Sequence, residues 1–230
     1  MPIKDSYVDE NGVLINNLGI TDNKKLKQAE MDICIPKIIT AGKDFSTRFD
    51  AEYLKRLHKH IFGDIYPWAG EFRTVPVYKT EKVIPGLSLE YAPPKKIQQE
   101  LDDKLEALDN IDWDSLSLDE KASRFSRRLA LLWRVHPFRD GNTRTMMTFA
   151  YLFSRSKGFP LDLSYLMPHL VRQYDKKGKV LRYNIRDKLV LAALDDKDNP
   201  EPQHLTAIIK AAMKSGIEKQ KADHDSYERL

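Results

Sequence analysis

A chain of 230 residues with 41% hydrophobic and 31% charged side chains is built like one globular domain, or a domain with a small appendage, and not like a disordered or fibrous protein. Its net charge of +4 is spread along the chain, which provides no concentrated basic surface for nucleic acid. The single cysteine, Cys34, excludes an internal disulfide, and no apolar stretch approaches the length needed to span a membrane.

Helical spacing dominates from the N-terminal side onward. The segment LGITDNKKLKQAEMDICIPKI predicts a first helix with Thr21 or Asp22 as N-cap and Cys34 as a small core residue. A second helix is predicted from Asp50, with Tyr53, Leu54, Leu57 and Ile61 on one face and Gly63 as its stop. His58 and His60 on this helix do not share a face, so they do not form a metal site. Residues 71–91, EFRTVPVYKTEKVIPGLSLEY, differ: they alternate partly with a period of two around a Pro85–Gly86 turn. Pro76 fits an edge strand, so the segment reads as a small exposed β-hairpin.

The third helix places Ile97, Leu101, Leu105 and Leu108 in register behind two prolines. The fourth opens on a capping box, Ser117 with Glu120, and carries Ala122, Phe125, Leu129 and Leu132 as its apolar stripe. A fifth helix follows from Asn142, with Met146, Phe149, Ala150 and Phe153 on one side. Further helices are predicted near 164–175, 180–195 and 202–220.

Between the fourth and fifth helices lies HPFRDGNTR, residues 136–144. This is a helix–loop–helix whose loop feeds a helix N-terminus, where free backbone N–H groups and the helix dipole attract anions. Gly141 allows close backbone approach to a ligand, and the Asn142 side chain can donate a hydrogen bond. Arg144 can grip phosphate oxygens in a bidentate way. A cation in the first helical turn opposes the dipole, so it predicts an anion beside it. Asp140 is placed to ligate Mg²⁺ that also touches phosphate. His136, ahead of the cradle, is the natural general base near neutral pH. Phe138 is expected to point inward and pin the loop. A polar interhelical turn would use the same Asp-Gly-Asn residues, so residue type alone leaves both readings open.

HPFRDGNTR resembles the signature of the Fic (filamentation induced by cAMP) family, His-x-Phe-x-Asp/Glu-Gly-Asn-x-Arg. LGITDNKKLKQAE resembles the N-terminal segment of such domains, LHKHIFGDIYPWAGEFR the helix and aromatic-rich turn before their hairpin, and YAPPKKI the end of that hairpin, the flap. The resemblance covers roughly residues 14–195 and looks closest to bacterial Fic toxins and Bartonella-type effector Fic domains. It implies an all-α Fic fold: a helical bundle with a small β-hairpin flap. Residues 1–200 would form the Fic domain with an N-terminal helical extension and a core of about 45–195, and 201–230 a C-terminal helix and polar tail.

The resemblance also implies Mg²⁺-dependent transfer of AMP from ATP to a Tyr, Thr or Ser hydroxyl of a target protein. His136, Asn142 and Arg144 would be catalytic, with His136 as base. Phe138, Arg139, Asp140, Gly141, Asn142, Thr143 and Arg144 would bind the nucleotide, with Asp140 as metal ligand. Lys79, Lys82, Leu89 and Tyr91 are flap candidates for holding the target by β-augmentation.

The sequence departs from the family pattern in two ways. Thr143 stands where many members have glycine, and Met147 stands where AMP-transferring members often have a second arginine that contacts the terminal phosphate. The donor therefore stays open between ATP and the phosphate, UMP or phosphocholine donors of relatives, beside a catalytically silent Fic fold that binds nucleotide or protein. No Ser/Thr-x-x-x-Glu-Gly/Asn-Asn inhibitory motif is present. The chain is therefore not expected to inhibit itself, and is either restrained by a separate small antitoxin-like protein or regulated in some other way; no nucleic-acid or membrane partner is expected. The N-terminal residues lack the apolar core of a signal peptide. The expected location is the bacterial cytoplasm, or a host cell after delivery as an effector.

Overall fold

The computed structural model describes residues 5–42, 48–79, 83, 89–167, 185–194, 200 and 202–227. Eight α-helices account for most of them. α1 (Asn23–Thr40) is capped by Asp22, whose carboxylate accepts from Lys24 and Lys25 N–H. It buries Leu26, Glu30, Cys34 and Ile38, one residue per turn along a single stripe. α2 (Ala51–Phe62) starts at Asp50, which accepts from Tyr53 N–H, and buries the predicted apolar face together with His58.

A 3₁₀ turn at Pro94–Lys96 leads into α3 (Ile97–Asp109). α4 (Leu118–Val135) opens on the Ser117–Glu120 capping box with both reciprocal bonds formed. α5 (Asn142–Ser156) follows after the six-residue loop between Val135 and Asn142. α6 (Leu163–Leu166) is one turn, α7 is Ile185–Leu194, and α8 is Gln203–Tyr227. The remainder of the helix predicted over 164–175, beyond Met167, lies outside the described residues.

α4 is the central strut. It packs against α3, α5, α7 and α8, while α2 packs against α1, α3 and α5. The buried side chains form one continuous core. An aromatic cluster of Trp113, Phe125, Phe149, Phe153 and Phe159 ties α4, α5 and the turn after α5 together. The boundary drawn near residue 200 falls between α7 and α8, which pack on each other. α8 buries Leu205, Ile209, Ala212 and Met213 in the common core. Ser215 and Lys219 both bond the Asp162 carboxylate, at 2.7 and 2.8 Å, which fixes α8 against the N-cap of α6.

The hairpin expected over 71–91 is described only at its base. Residues 72–79 and 89–93 form no strand, and residues 80–82 and 84–88, which hold Lys82 and the Pro85–Gly86 turn, lie outside the described residues. Among the described residues, strand-like pairing is confined to one antiparallel bridge, Val8 with Leu14.

Candidate functional site

Pro137 cannot continue α4, and the helix ends in His136, whose backbone is left-handed (φ 51°, ψ 59°). His136 is the only non-glycine residue with positive φ among the described residues. Such a conformation costs free energy and persists where its surroundings impose it. Arg73, fully buried, does so here. Its Nε donates to the His136 carbonyl at 2.8 Å and its Nη2 to Val135 O at 3.4 Å, while its backbone N–H donates to Pro137 O at 2.8 Å. The same guanidinium reaches Val75 O and Ala92 O. One side chain thus joins both ends of the 75–92 segment to the turn that presents His136.

The imidazole of His136 is 1% exposed, and among the described residues neither ring nitrogen has a hydrogen-bond partner. It stacks on Tyr91 (4.0 Å, 20°) and meets Trp133 edge-on (5.3 Å). Burial pushes its pKa well below the ordinary histidine value, helped by the charges of Lys79, Arg73 and Arg186, so the ring is neutral. A buried polar group of this kind is ordinarily hydrogen-bonded, so the two ring nitrogens are available to a group that enters the cavity.

The rest of the loop is bonded to itself. Asn142 Oδ1 accepts from Phe138 N–H at 2.8 Å and its Nδ2 donates to Phe138 O at 2.7 Å. Its amide therefore closes the loop, a role beyond the donation to a ligand expected from the sequence. Gly141 is left-handed (φ 76°) and N-caps α5 with no side-chain capping bond, which leaves the first-turn N–H groups without the usual hydroxyl or carboxylate. A Cβ on Gly141 would lie 2.5 Å from the Phe62 ring, so only glycine fits. The Thr143 hydroxyl accepts from the Trp133 indole N–H at 3.0 Å, a bond that glycine could not make.

From behind, His58 braces the same loop. Its Nδ1 accepts from Gly70 N–H at 2.9 Å, so Nε2 carries the proton and donates to Asp140 O at 3.1 Å. Its ring stacks on Phe138 (3.9 Å, 18°), and burial pushes its pKa down to about 3. His60 turns away, toward Lys37 O.

His136, Asp140, Gly141, Asn142, Thr143 and Arg144 line a cavity of about 420 Å³. Met31, Lys79, Met147, Leu166, Met167, Ile185 and Arg186 complete it. Among the described residues, Lys79, Arg144 and Arg186 against Asp140 make its charged lining predominantly cationic. Desolvation raises the Asp140 carboxyl. Lys79, the Gly141 N–H, Arg144 and Arg139 outweigh that, so it lies below the ordinary carboxylate range and is ionised. Lys79 Nζ is 3.9 Å from Oδ1. Asp140 is the one carboxylate among the described lining residues, and an ionised, 38% exposed carboxylate fits Mg²⁺, which takes one or two protein carboxylates and fills its other positions with water and phosphate oxygens. Groups of three or more acidic, His or Cys ligands are absent among the described residues.

Other predicted residues fall elsewhere. Phe138 is buried against His58. Arg139 donates from Nε and Nη2 to Asp5 and lines a neighbouring groove with Val75–Lys79, so neither lines the His136 cavity. Leu89 and Tyr91 are buried rather than displayed, Tyr91 under the His136 ring. Lys82 lies outside the described residues. The anion expected beside Arg144 is supplied by the chain itself: Glu30 of α1 accepts from Nη2 at 3.2 Å. Glu30, His58, Arg73 and Arg186 are the residues the motif did not point to. For Glu30 a signal existed, because a carboxylate occupying a core position of the Leu26–Cys34–Ile38 stripe needs a buried partner.

The fold is a helical bundle, and its cavity lies at the α5 N-terminus with Lys79, Arg144 and Arg186 among its lining. The family model described as Fic/DOC matches residues 48–154. The chain is 30% identical over 160 residues to the probable protein adenylyltransferase y4lH of Sinorhizobium fredii, covering 68% of this chain and 78% of that protein. It is 34% identical over 166 residues to the protein adenylyltransferase VbhT of Bartonella schoenbuchensis, covering 69% of this chain and 32% of that protein. The chain belongs to the Fic/DOC family. It spans about a third of the length of VbhT and 30% of a protein adenylyltransferase of Bartonella henselae. Among solved structures, the BepC effector of Bartonella tribocorum with bound AMPPNP has the same fold, with a TM-score of 0.69 at 20% identity over 90% of this chain and 95% of that one.

Proposed function

We propose that this domain is a Mg²⁺-dependent protein adenylyltransferase that moves AMP from ATP to a hydroxyl side chain of a target protein. The observation that carries the reading is the His136 imidazole, buried, neutral and without a partner on either nitrogen among the described residues, beside a cationic cavity at a helix N-terminus with no side-chain cap. The names of the relatives support it, as does the AMPPNP in the BepC structure.

In this reading the target hydroxyl gives its proton to His136. The oxygen attacks the α-phosphorus, the bond to the bridging oxygen of the β-phosphate breaks, and pyrophosphate leaves. The α5 N-terminus and Arg144 hold the phosphates, with Lys79 and Arg186 adding positive charge along the cavity. Mg²⁺ would be held by Asp140 and would neutralise phosphate charge. The target segment would lie along residues 75–79, where Tyr78 is 82% exposed and Lys79 links the groove to the cavity. Such a domain would act in the bacterial cytoplasm or in a host cell after delivery, restrained by a separate protein or regulated in some other way.

Met147 supports a second reading. It lines the cavity, so Arg144 is the one α5 cation among the described lining residues, and a donor other than ATP, or ATP in another orientation, fits that lining. The test is incubation with Mg²⁺ and lysate using ATP labelled at the α- or the γ-phosphate. AMP transfer puts only the α-label on protein, and His136→Ala lowers the rate about 10²–10⁴-fold. Label from the γ-phosphate alone means phosphate transfer instead.

A further inference from the structure

Arg144 occupies a position that two physical effects oppose. It lies in the first turn of α5, where the helix dipole repels a cation, and its side chain is only 17% exposed. A buried cation needs a counter-charge and hydrogen bonds held in place. Glu30 supplies both from α1, outside the 48–154 span that the family model matches.

The geometry is that of a fixed mount rather than a plug. Glu30 is 11% exposed and both of its oxygens are engaged: Oε2 accepts from Arg144 Nη2 at 3.2 Å, and Oε1 accepts from the Tyr66 hydroxyl at 2.5 Å. Arg144 Nη1 lies 3.8 Å from Cys34 Sγ, and the guanidinium lies over the Phe62 ring, 4.6 Å from its centroid. These contacts come from α1, α2 and the turn after α2. They use part of a guanidinium that carries five N–H donors, and Arg144 still lines the cavity.

We propose that Glu30 is a positioning residue that aims Arg144 at the phosphate of a bound nucleotide, with Tyr66 holding Glu30 in turn. This rests on the reading of the cavity as a nucleotide site. α1 is then part of the functional unit and not only a cover for the core.

The experiment measures AMPPNP binding with Mg²⁺ by calorimetry in the full chain, for the wild type, Glu30→Gln, Tyr66→Phe, Arg144→Ala and Glu30→Gln/Arg144→Ala, with the thermal midpoint as a check on folding. A glutamine can keep the geometry, its carbonyl accepting from Arg144 and its amide donating to the Tyr66 oxygen, so it removes charge alone. Glu30→Gln is expected to weaken AMPPNP about 10-fold, and Tyr66→Phe, which leaves Arg144 untouched, about 3-fold. In the Arg144→Ala background, Glu30→Gln is expected to change affinity less than about 2-fold. Equal losses in both backgrounds would mean that Glu30 acts only on stability and would overturn the proposal. So would tighter binding by Glu30→Gln, which would make Glu30 a competitor of phosphate. If Glu30→Gln does not fold, unchanged affinity in a folded Tyr66→Phe overturns it. A folded wild type that binds no AMPPNP overturns the nucleotide reading, and the proposal with it.

Discussion

The loop between α4 and α5 and the elements packed behind it hold one cavity by different means. The loop is self-bonded over a few residues: Asn142 closes on Phe138, Asp140 accepts from Gly141, and Thr143 accepts from Trp133. The supporting side is built from side chains far away in the chain. Arg73 reaches His136 across a separation of 63 residues, His58 reaches Asp140 across 82, and Glu30 reaches Arg144 across 114. The loop determines which groups are presented. The distant side chains determine their direction, their charge state and how firmly they are held. A local network tolerates loss of one member when its backbone remains fixed, whereas a buried long-range bond leaves an unsatisfied group when one partner goes.

This contrast can be broken most severely at Gly141, where both sides meet. Gly141→Ala places a Cβ against the Phe62 ring at a left-handed position, and a destabilisation of roughly 3 kcal/mol or more in urea unfolding is expected. Phe62→Leu in the same chain should recover part of that loss, because it removes the clash and leaves the backbone strain.

Arg73→Lys comes next. It retains a charge but cannot reach the four carbonyls that Arg73 serves, so a loss of about 2–4 kcal/mol is expected. Retention of wild-type stability would mean that the clamp is dispensable and that the left-handed turn is held by the loop itself.

The pH dependence sharpens the comparison. His58 and His136 are neutral in the folded protein, with folded pKa values lowered by burial, whereas each would take up a proton near pH 6.5 when unfolded. The unfolded chain therefore binds more protons below that pH, and stability is expected to fall as pH drops from about 6.5 toward 3. His58→Gln should flatten this slope, at a cost of roughly 1–3 kcal/mol at neutral pH for the lost Gly70 or Asp140 bond. Equilibrium unfolding at a series of pH values reads both.

The smallest effect tests the loop alone. Thr143→Val keeps the shape and removes the acceptor of the Trp133 N–H. A loss of about 1–2 kcal/mol is expected, with little change in the pH slope.

The helices, their caps and the helix–loop–helix around residues 136–144 were legible because periodicity, capping residues and proline or glycine stops act over a few residues. The fate of individual motif residues was less so. Phe138 and Arg139 adjoin His136 in sequence, yet one turns to His58 and the other to Asp5. Tyr91, read as a flap residue, packs under the His136 ring because Arg73 draws Ala92 toward the end of α4.

The sequence by itself determined an all-α chain, a Fic-type motif between two helices, and a loop whose Asp, Gly, Asn and Arg are suited to an anion. Only the tertiary structure decided that His136 is buried and neutral, that Glu30 on α1 supports Arg144, and that Lys79 and Arg186 share its cavity. The reason is physical: backbone geometry follows from neighbours along the chain, but the burial and electrostatic field at a side chain are set by what packs around it, and here those groups come from helices separated by most of the sequence.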